Sequence, residues 1–244
     1  MKKFARIIGT GSYLPPKVVT NFDLEKTLDT SDEWITARTG IKERRIVTDQ
    51  NTCDLAFEAS IKALSMAELK PEDIDLIILS TTTPDKIFPA TATILQNRLG
   101  ASCPAFDLQA VCAGFVFALT TAQQYIENGA AKNILVVGSE TMSRIVDWND
   151  RSTAILFADG AGAVIIESTD DEGGIIAHES ATHAFDEAHF IYFGETNSQD
   201  SEDDRRYIKM YGRKIYEFAL TNVPLAMKSC LDKSGINISD VKKI

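Results

Sequence analysis

Ile74-Asp-Leu-Ile-Ile-Leu79 and Lys132-Asn-Ile-Leu-Val-Val-Gly138 are compact apolar runs, and each is flanked by segments whose apolar residues recur with a helical period. A strand apolar on both sides must be covered on both faces, so these runs demand helices above and below a sheet. The intervening patterns supply them. Thr52 to Ala67 reads as one helix, Ala90 to Leu99 as a second closed by Gly100, and the stretch after Cys112 as a third. The third runs to about Asn128-Gly129, with Phe115, Leu119, Ala122 and Ile126 along its buried side. Strands separated by helices predict an α/β fold with a mostly parallel core sheet.

The ends of the chain are read from turn and cap chemistry. Gly9 and Gly11 lack the third, helix-opening glycine of a dinucleotide fingerprint, so they predict a turn after a first strand. A helix signal spans Asn21 to Leu28. A second opens at Thr30, with Glu33 three residues on in the form of a capping box, and stops at Gly40. Trp34 and Arg38 share a face of that helix, able to flank a planar base or simply to pack together, with packing favoured by spacing alone. Arg38, Lys42, Arg44 and Arg45 read as solvated charges on an edge strand. Thr153 to Glu167 holds two apolar runs joined by small residues, and Asp159-Gly160 predicts a tight reversal or a close backbone approach. Gly212 to Leu231 reads as an amphipathic helix interrupted or bent near Pro224.

Charge and cysteine usage exclude several classes. A formal net charge of −10 argues against nucleic acid as the main partner, because phosphate binding needs clustered Lys and Arg. Arg6, Gly9 and Gly11 break the apolar stretch a secretory signal would need, and no later run spans a bilayer. Four scattered cysteines without a CxxC pair predict neither a disulfide framework nor structural zinc, and the expected compartment is a reducing cytoplasm. All three histidines, His178, His183 and His189, fall in a polar, acidic stretch from His178 to Arg206, at spacings that match no metal motif. That stretch reads as a long surface excursion, so no metal is expected.

Cys53, Cys103 and Cys230 read as small buried hydrophobes. Cys112 differs because it opens a helix after a short strand signal, among the small neighbours Ala110, Val111, Ala113 and Gly114. The unpaired N–H groups and positive end of a helix favour a thiolate there, and the small neighbours leave room for an acyl group. In the loop after the first apolar run, Phe88 sits between polar residues and Pro89. It reads either as a loop anchor or as an insertion into a neighbouring subunit or ligand tunnel.

Cys112-Ala-Gly-Phe115 resembles the nucleophile segment of the β-ketoacyl-acyl-carrier-protein synthase III family, the condensing enzymes that initiate bacterial type II fatty acid synthesis. Gly9-Thr-Gly-Ser-Tyr-Leu-Pro15, Thr30-Ser-Asp-Glu-Trp-Ile35, Arg38-Thr-Gly-Ile41, Cys103-Pro-Ala-Phe-Asp107, Asp150-Arg151 and Asp159-Gly-Ala-Gly162 are similar to that family in the same order. The resemblance implies a thiolase-like fold of layered helices and sheets, α/β/α/β/α, usually homodimeric. Residues 1–170 would form the first half and 171–244 the beginning of a second.

It further implies that Cys112 takes a short acyl group from acyl-coenzyme A, which is a substrate and not a cofactor, and passes it to the carbanion formed from malonyl-acyl-carrier protein. Trp34 and Arg151 would sandwich the adenine, with Thr30 and Arg38 nearby. Met210, Gly212 and Tyr216 would line the pantetheine and acyl tunnel, and Phe88 would cross the dimer interface to close the partner's acyl pocket. Tyr216 stands where a Phe is more familiar, and Glu217 where a Lys is often found. The family's catalytic histidine and asparagine would follow Ile244, so the 244 residues are expected to be catalytically incomplete. Two other readings are another thiolase-fold synthase of secondary metabolism and a noncatalytic partner that binds acyl-coenzyme A.

Overall fold

The structure, a computed structural model, describes residues 3–183, 190–194 and 206–243. His189 lies outside the described residues. Five strands form the central sheet: β1 (Phe4–Tyr13), β4 (Leu76–Ser80), β5 (Ala105–Leu108), β6 (Asn133–Thr141) and β7 (Asp159–Thr169), in the order β1-β7-β6-β4-β5. Strand β4 pairs parallel with β5 and β6, whereas β7 runs antiparallel to both β6 and β1. The sheet is therefore mixed, not mostly parallel. The chain returns from β6 to β7 through turns and a four-residue helix, α6 (Arg151–Ala154), and re-enters the sheet from the end it left.

Alternation along the strands sorts the core into two layers, as strand geometry requires. Ile77, Leu79, Leu135, Val137 and Ile165 pack with α3 (Thr52–Ala67) and α4 (Thr91–Leu99). Leu76, Ile78, Ile134, Val136 and Ile166 pack on the other face with Ala118, Ala122 and Ile126 of α5 (Gly114–Glu127). All three covering helices match the apolar periods, and Phe115 and Leu119 lie half-buried beside the second layer.

The glycines of β1 have a different role from the one expected. The strand runs on through Gly9 and Gly11, with a register shift between Ile7 and Gly9, and no turn falls there. A Cβ on Gly9 would come within 2.3 Å of the Ala63 carbonyl oxygen, and one on Gly11 within 2.1 Å of that of Ala59. The small residues let β1 lie directly against the backbone of α3. At the other end of the sheet, Asp159-Gly160 makes no reversal but opens β7, and the apolar run before it starts in α6 and continues as a turn from Ile155.

Residues 17–46 form a small subassembly beside the sheet. Hairpin strands β2 (Lys17–Thr20) and β3 (Glu43–Ile46) enclose α1 (Asn21–Leu24) and α2 (Asp32–Thr39). The cap of α2 is Ser31 and not Thr30: Ser31 is extended, and its Oγ accepts from the Trp34 N–H at 3.1 Å. Gly40 closes the helix as expected. Arg44 is not a solvated charge, being only 3% exposed.

Two short strands, β8 (Ile191–Tyr192) and β9 (Lys209–Met210), pair with each other and lead into α7 (Gly212–Ser234). That helix continues through Pro224 without the expected interruption, and none of its residues is buried. No helix among the described residues is long and apolar enough to cross a membrane.

Candidate active site

Parallel strands end together, and ligand sites in α/β sheets form beyond their carboxyl ends. Here β4 ends at Ser80, β5 at Leu108 and β6 at Thr141. The chain leaving β5 makes a tight 3-10 turn over Val111–Ala113 and then starts α5, so Cys112 stands exposed at the head of that helix. Gly114 sets the approach of that turn. A Cβ there would lie 2.0 Å from Ser80 Oγ, so only glycine lets the turn settle onto the end of β4. Val111, just before the cysteine, has φ +49°, a conformation that costs a β-branched residue on the order of 1–3 kcal/mol and is typical of functional turns.

Cys112 lines a cavity of about 470 Å³ with Leu14, Ser80, Thr82, Val111, Phe115, Gly138, Ser139, Glu140, Met142, Phe157, Gly160, Ala161, Gly162, Ile191 and Ile208. Most of that wall is apolar, which suits an acyl chain and a thioether arm better than a charged ligand. The small residues of β7 leave the space open beside the thiol. Glu140, which sequence reasoning missed, shapes the polar edge. Glu140 accepts from the Thr82 N–H at 2.8 Å and from the hydroxyls of Thr82 at 3.0 Å and Thr83 at 2.6 Å, tying the loop after β4 to the end of β6. The available signal was the Ser80-Thr-Thr-Thr83 and Ser139-Glu140 pairing at the ends of two adjacent parallel strands.

Of the other cysteines, Cys53 is buried as expected, whereas Cys103 and Cys230 are half-buried. Burial pushes the Cys53 thiol up to about 11 and raises that of Cys103. Neither His178 nor His183, the histidines among the described residues, lines the Cys112 cavity, and no metal-holding cluster of His, Cys, Asp and Glu occurs among the described residues.

A second constellation forms at the rim of the residue 17–46 subassembly. The Arg38 guanidinium lies 4.3 Å from the Trp34 ring centroid, and that of Arg151, brought in by α6, lies 4.8 Å from it. Arg151 donates to the Asp29 carbonyl at 2.6 Å. Thr30 Oγ1 is buried nearby in sequence without a hydrogen-bond partner among the described residues. Trp34 and Arg38 thus do pack together, and the structure also brings Arg151 to them. A planar base stacked between Trp34 and Arg151 needs roughly 7 Å, two contacts of about 3.5 Å, so Arg151 must open by roughly 2 Å to admit one. Two guanidinium groups beside an indole provide a stacking face and charge for phosphate at one place.

The remaining expected residues lie apart. Met210 and Gly212 flank the start of α7, and Tyr216 is 65% exposed on it; none lines the Cys112 cavity, although Ile208 does. Phe88 is 82% exposed beside Ile87 in the loop before α4. That loop is anchored at Asp85, whose N–H donates to Thr91 Oγ1 at 3.1 Å and whose carboxylate accepts from the Cys53 N–H at 3.0 Å. Asp107 of β5 caps α4 by accepting from the Thr91 and Ala92 N–H groups at 2.8 and 2.7 Å.

An exposed cysteine at a helix head, beyond the ends of parallel strands and facing an apolar cavity, defines the class: a cysteine-dependent acyltransferase of layered α/β fold. The family model for 3-oxoacyl-[acyl-carrier-protein] synthase III matches residues 106–184. A β-ketoacyl-[acyl-carrier-protein] synthase III of Vesicomyosocius okutanii is 54% identical over 97% of this chain and 74% of its own length. The crystal structure of 3-oxoacyl-[acyl-carrier-protein] synthase III from Aquifex aeolicus superposes with a TM-score of 0.89 at 45% identity, over 97% of this chain and 74% of that one. A priming β-ketosynthase of the R1128 polyketide pathway also reaches 0.89, at 32% identity over 98% and 73%. The chain belongs to the β-ketoacyl-acyl-carrier-protein synthase III family, with its thiolase-like fold and its condensing acyltransferase activity.

Proposed function

We propose that Cys112 accepts an acyl group from acyl-coenzyme A and delivers it to a malonyl-acyl-carrier protein, initiating fatty acid synthesis in the cytoplasm. The observation that carries this reading is the exposed Cys112 at the head of α5, open to an apolar cavity of about 470 Å³. In the first step the thiolate attacks the thioester carbonyl, the coenzyme A thiolate leaves, and a Cys112 thioester remains. In the second, the malonyl group loses carbon dioxide, the resulting carbanion attacks the Cys112 thioester, and the cysteine thiolate leaves as the 3-oxoacyl product forms. No cofactor takes part in either step.

Trp34 and Arg151 would hold the adenine, with Arg38 and Thr30 beside them, and Met210, Gly212 and Tyr216 would follow the pantetheine and acyl chain. Phe88 would cross to a second copy of the chain, a role that fits its exposure on an anchored loop. Residues 1–170 would make the first thiolase-like half and 171–244 belong to the second. The test is incubation with acetyl-coenzyme A, which reads the first step. Release of free coenzyme A with an acetyl thioester left on the protein is expected, and Cys112→Ala abolishes it. An acyl-enzyme formed equally by Cys112→Ala would overturn the reading. The likeness to a polyketide priming enzyme gives the second reading, in which the same chemistry serves another product, and a panel of acyl donors separates the two.

A further inference from the structure

Arg44 is the least explained charge in the molecule. It is 3% exposed, has no carboxylate within ion-pair reach among the described residues, and leaves its Nε without a partner. A buried guanidinium without a counter-charge costs several kcal/mol unless its hydrogen bonds are well made. Those bonds go to structural joints. Its Nη1 donates to the Val19 carbonyl at 3.2 Å, and its Nη2 to Asn21 Oδ1 at 2.9 Å and the Ile155 carbonyl at 3.1 Å. Ile155 is the C-cap of α6, the helix that carries Arg151. Asn21, itself fully buried, turns its amide to Asp32 Oδ1 at 2.8 Å, Thr36 Oγ1 at 3.3 Å and the Ile41 carbonyl at 2.7 Å. Asp32 and Thr36 belong to α2, which carries Trp34 and Arg38.

We infer that Arg44, acting through Asn21 and Asp32, is a positioning residue that holds the Trp34 helix and the Arg151 helix at the separation needed to grip the nucleotide end of the acyl donor. The inference rests on the assignment of Trp34 and Arg151 to the adenine. A hydrophobic residue would fill the volume, but it could not fasten a carbonyl at the end of one short helix to an amide that fastens the other. The planar fork of Arg reaches both, which Lys does not.

The experiment uses two acyl donors, acetyl-coenzyme A and acetyl-pantetheine, which lacks the nucleotide. The readout is the ratio of their KM values for acyl loading of Cys112. Arg44→Gln should raise the KM for acetyl-coenzyme A by roughly tenfold, within the cost of losing a stacked base, and leave that for acetyl-pantetheine within about twofold. Asp32→Ala keeps the buried guanidinium but removes the shorter of the two Asn21 bonds to α2, leaving Thr36 at 3.3 Å, and should shift the ratio the same way even where Arg44→Gln does not fold. Trp34→Ala is the control on the underlying assignment. If Trp34→Ala leaves the ratio unchanged, the adenine assignment fails. If Trp34→Ala shifts it while Asp32→Ala and any folded Arg44→Gln slow both donors equally or neither, the positioning role is overturned.

Discussion

Gly114→Ala tests how the nucleophile is placed. The added Cβ would fall 2.0 Å from Ser80 Oγ, while the next nearest atom, Ser80 Cβ, is 3.4 Å away. The backbone at Gly114 is ordinary helix, φ −54° and ψ −42°, so the clash is the whole cost. Overpacking of this kind costs about 1–3 kcal/mol, against a gain of about 0.8–1.0 kcal/mol from replacing Gly by Ala in a helix. In the Ser80→Ala background the offending oxygen is gone and only the 3.4 Å contact remains. The same substitution should then become stabilising by about 0.5–1 kcal/mol, a coupling of about 1–3 kcal/mol. Urea unfolding of the four proteins of the cycle measures it. Acyl loading follows the geometry: Gly114→Ala lifts the Cys112 turn off β4, and a displacement near 1 Å costs on the order of 100-fold, most of it recovered in the double variant. If Gly114→Ala changes stability by the same amount in both backgrounds, the contact does not place the cysteine.

Iodoacetamide at pH 8 should label exposed Cys112 rapidly and leave Cys53 unmodified, and prior acetyl-coenzyme A should protect Cys112; peptide mapping reads both. Because burial holds the Cys53 thiol up to about 11, above its unfolded value of 9.0, its contribution to stability is complete below about pH 9 and is lost as pH rises to about 11, which denaturant midpoints across that window will show. Glu140→Leu strands the Thr82 N–H and two threonine hydroxyls, and should cost about 2–4 kcal/mol in urea unfolding while slowing acyl loading. Trp34→Ala should weaken acyl-coenzyme A binding by roughly 5- to 150-fold, the loss of about 1–3 kcal/mol of stacking, measured by calorimetry.

The core was readable because burial on both faces leaves only the terminal Ser80 polar in β4 and confines the polar residues of β6 to its ends, and because α3, α4 and α5 keep their apolar period. Strand direction was not readable. Nothing in the residues of β7 marks it as antiparallel, since direction is decided by where the connection re-enters the sheet. Gly9 and Gly11 were misread because a close approach to α3 and a turn ask for the same residue, and only the carbonyls of Ala63 and Ala59 distinguish them. Cys112 stood out because its local setting, strand, small-residue turn and helix, is contiguous in sequence. Arg44 and Glu140 did not, because their partners come from Ile155 and Thr82, over a hundred and some sixty residues away by chain, and a charge looks solvated until those partners are known.

The most direct test of the account is the site of acyl transfer. Incubation of the protein with acetyl-coenzyme A, followed by proteolysis and mass spectrometry, should find the acetyl group as a hydroxylamine-labile thioester on the Cys112 peptide alone, absent in Cys112→Ala. Acetyl on Cys53, Cys103 or Cys230 instead, or no acyl-enzyme in a folded and dimeric preparation, would contradict it.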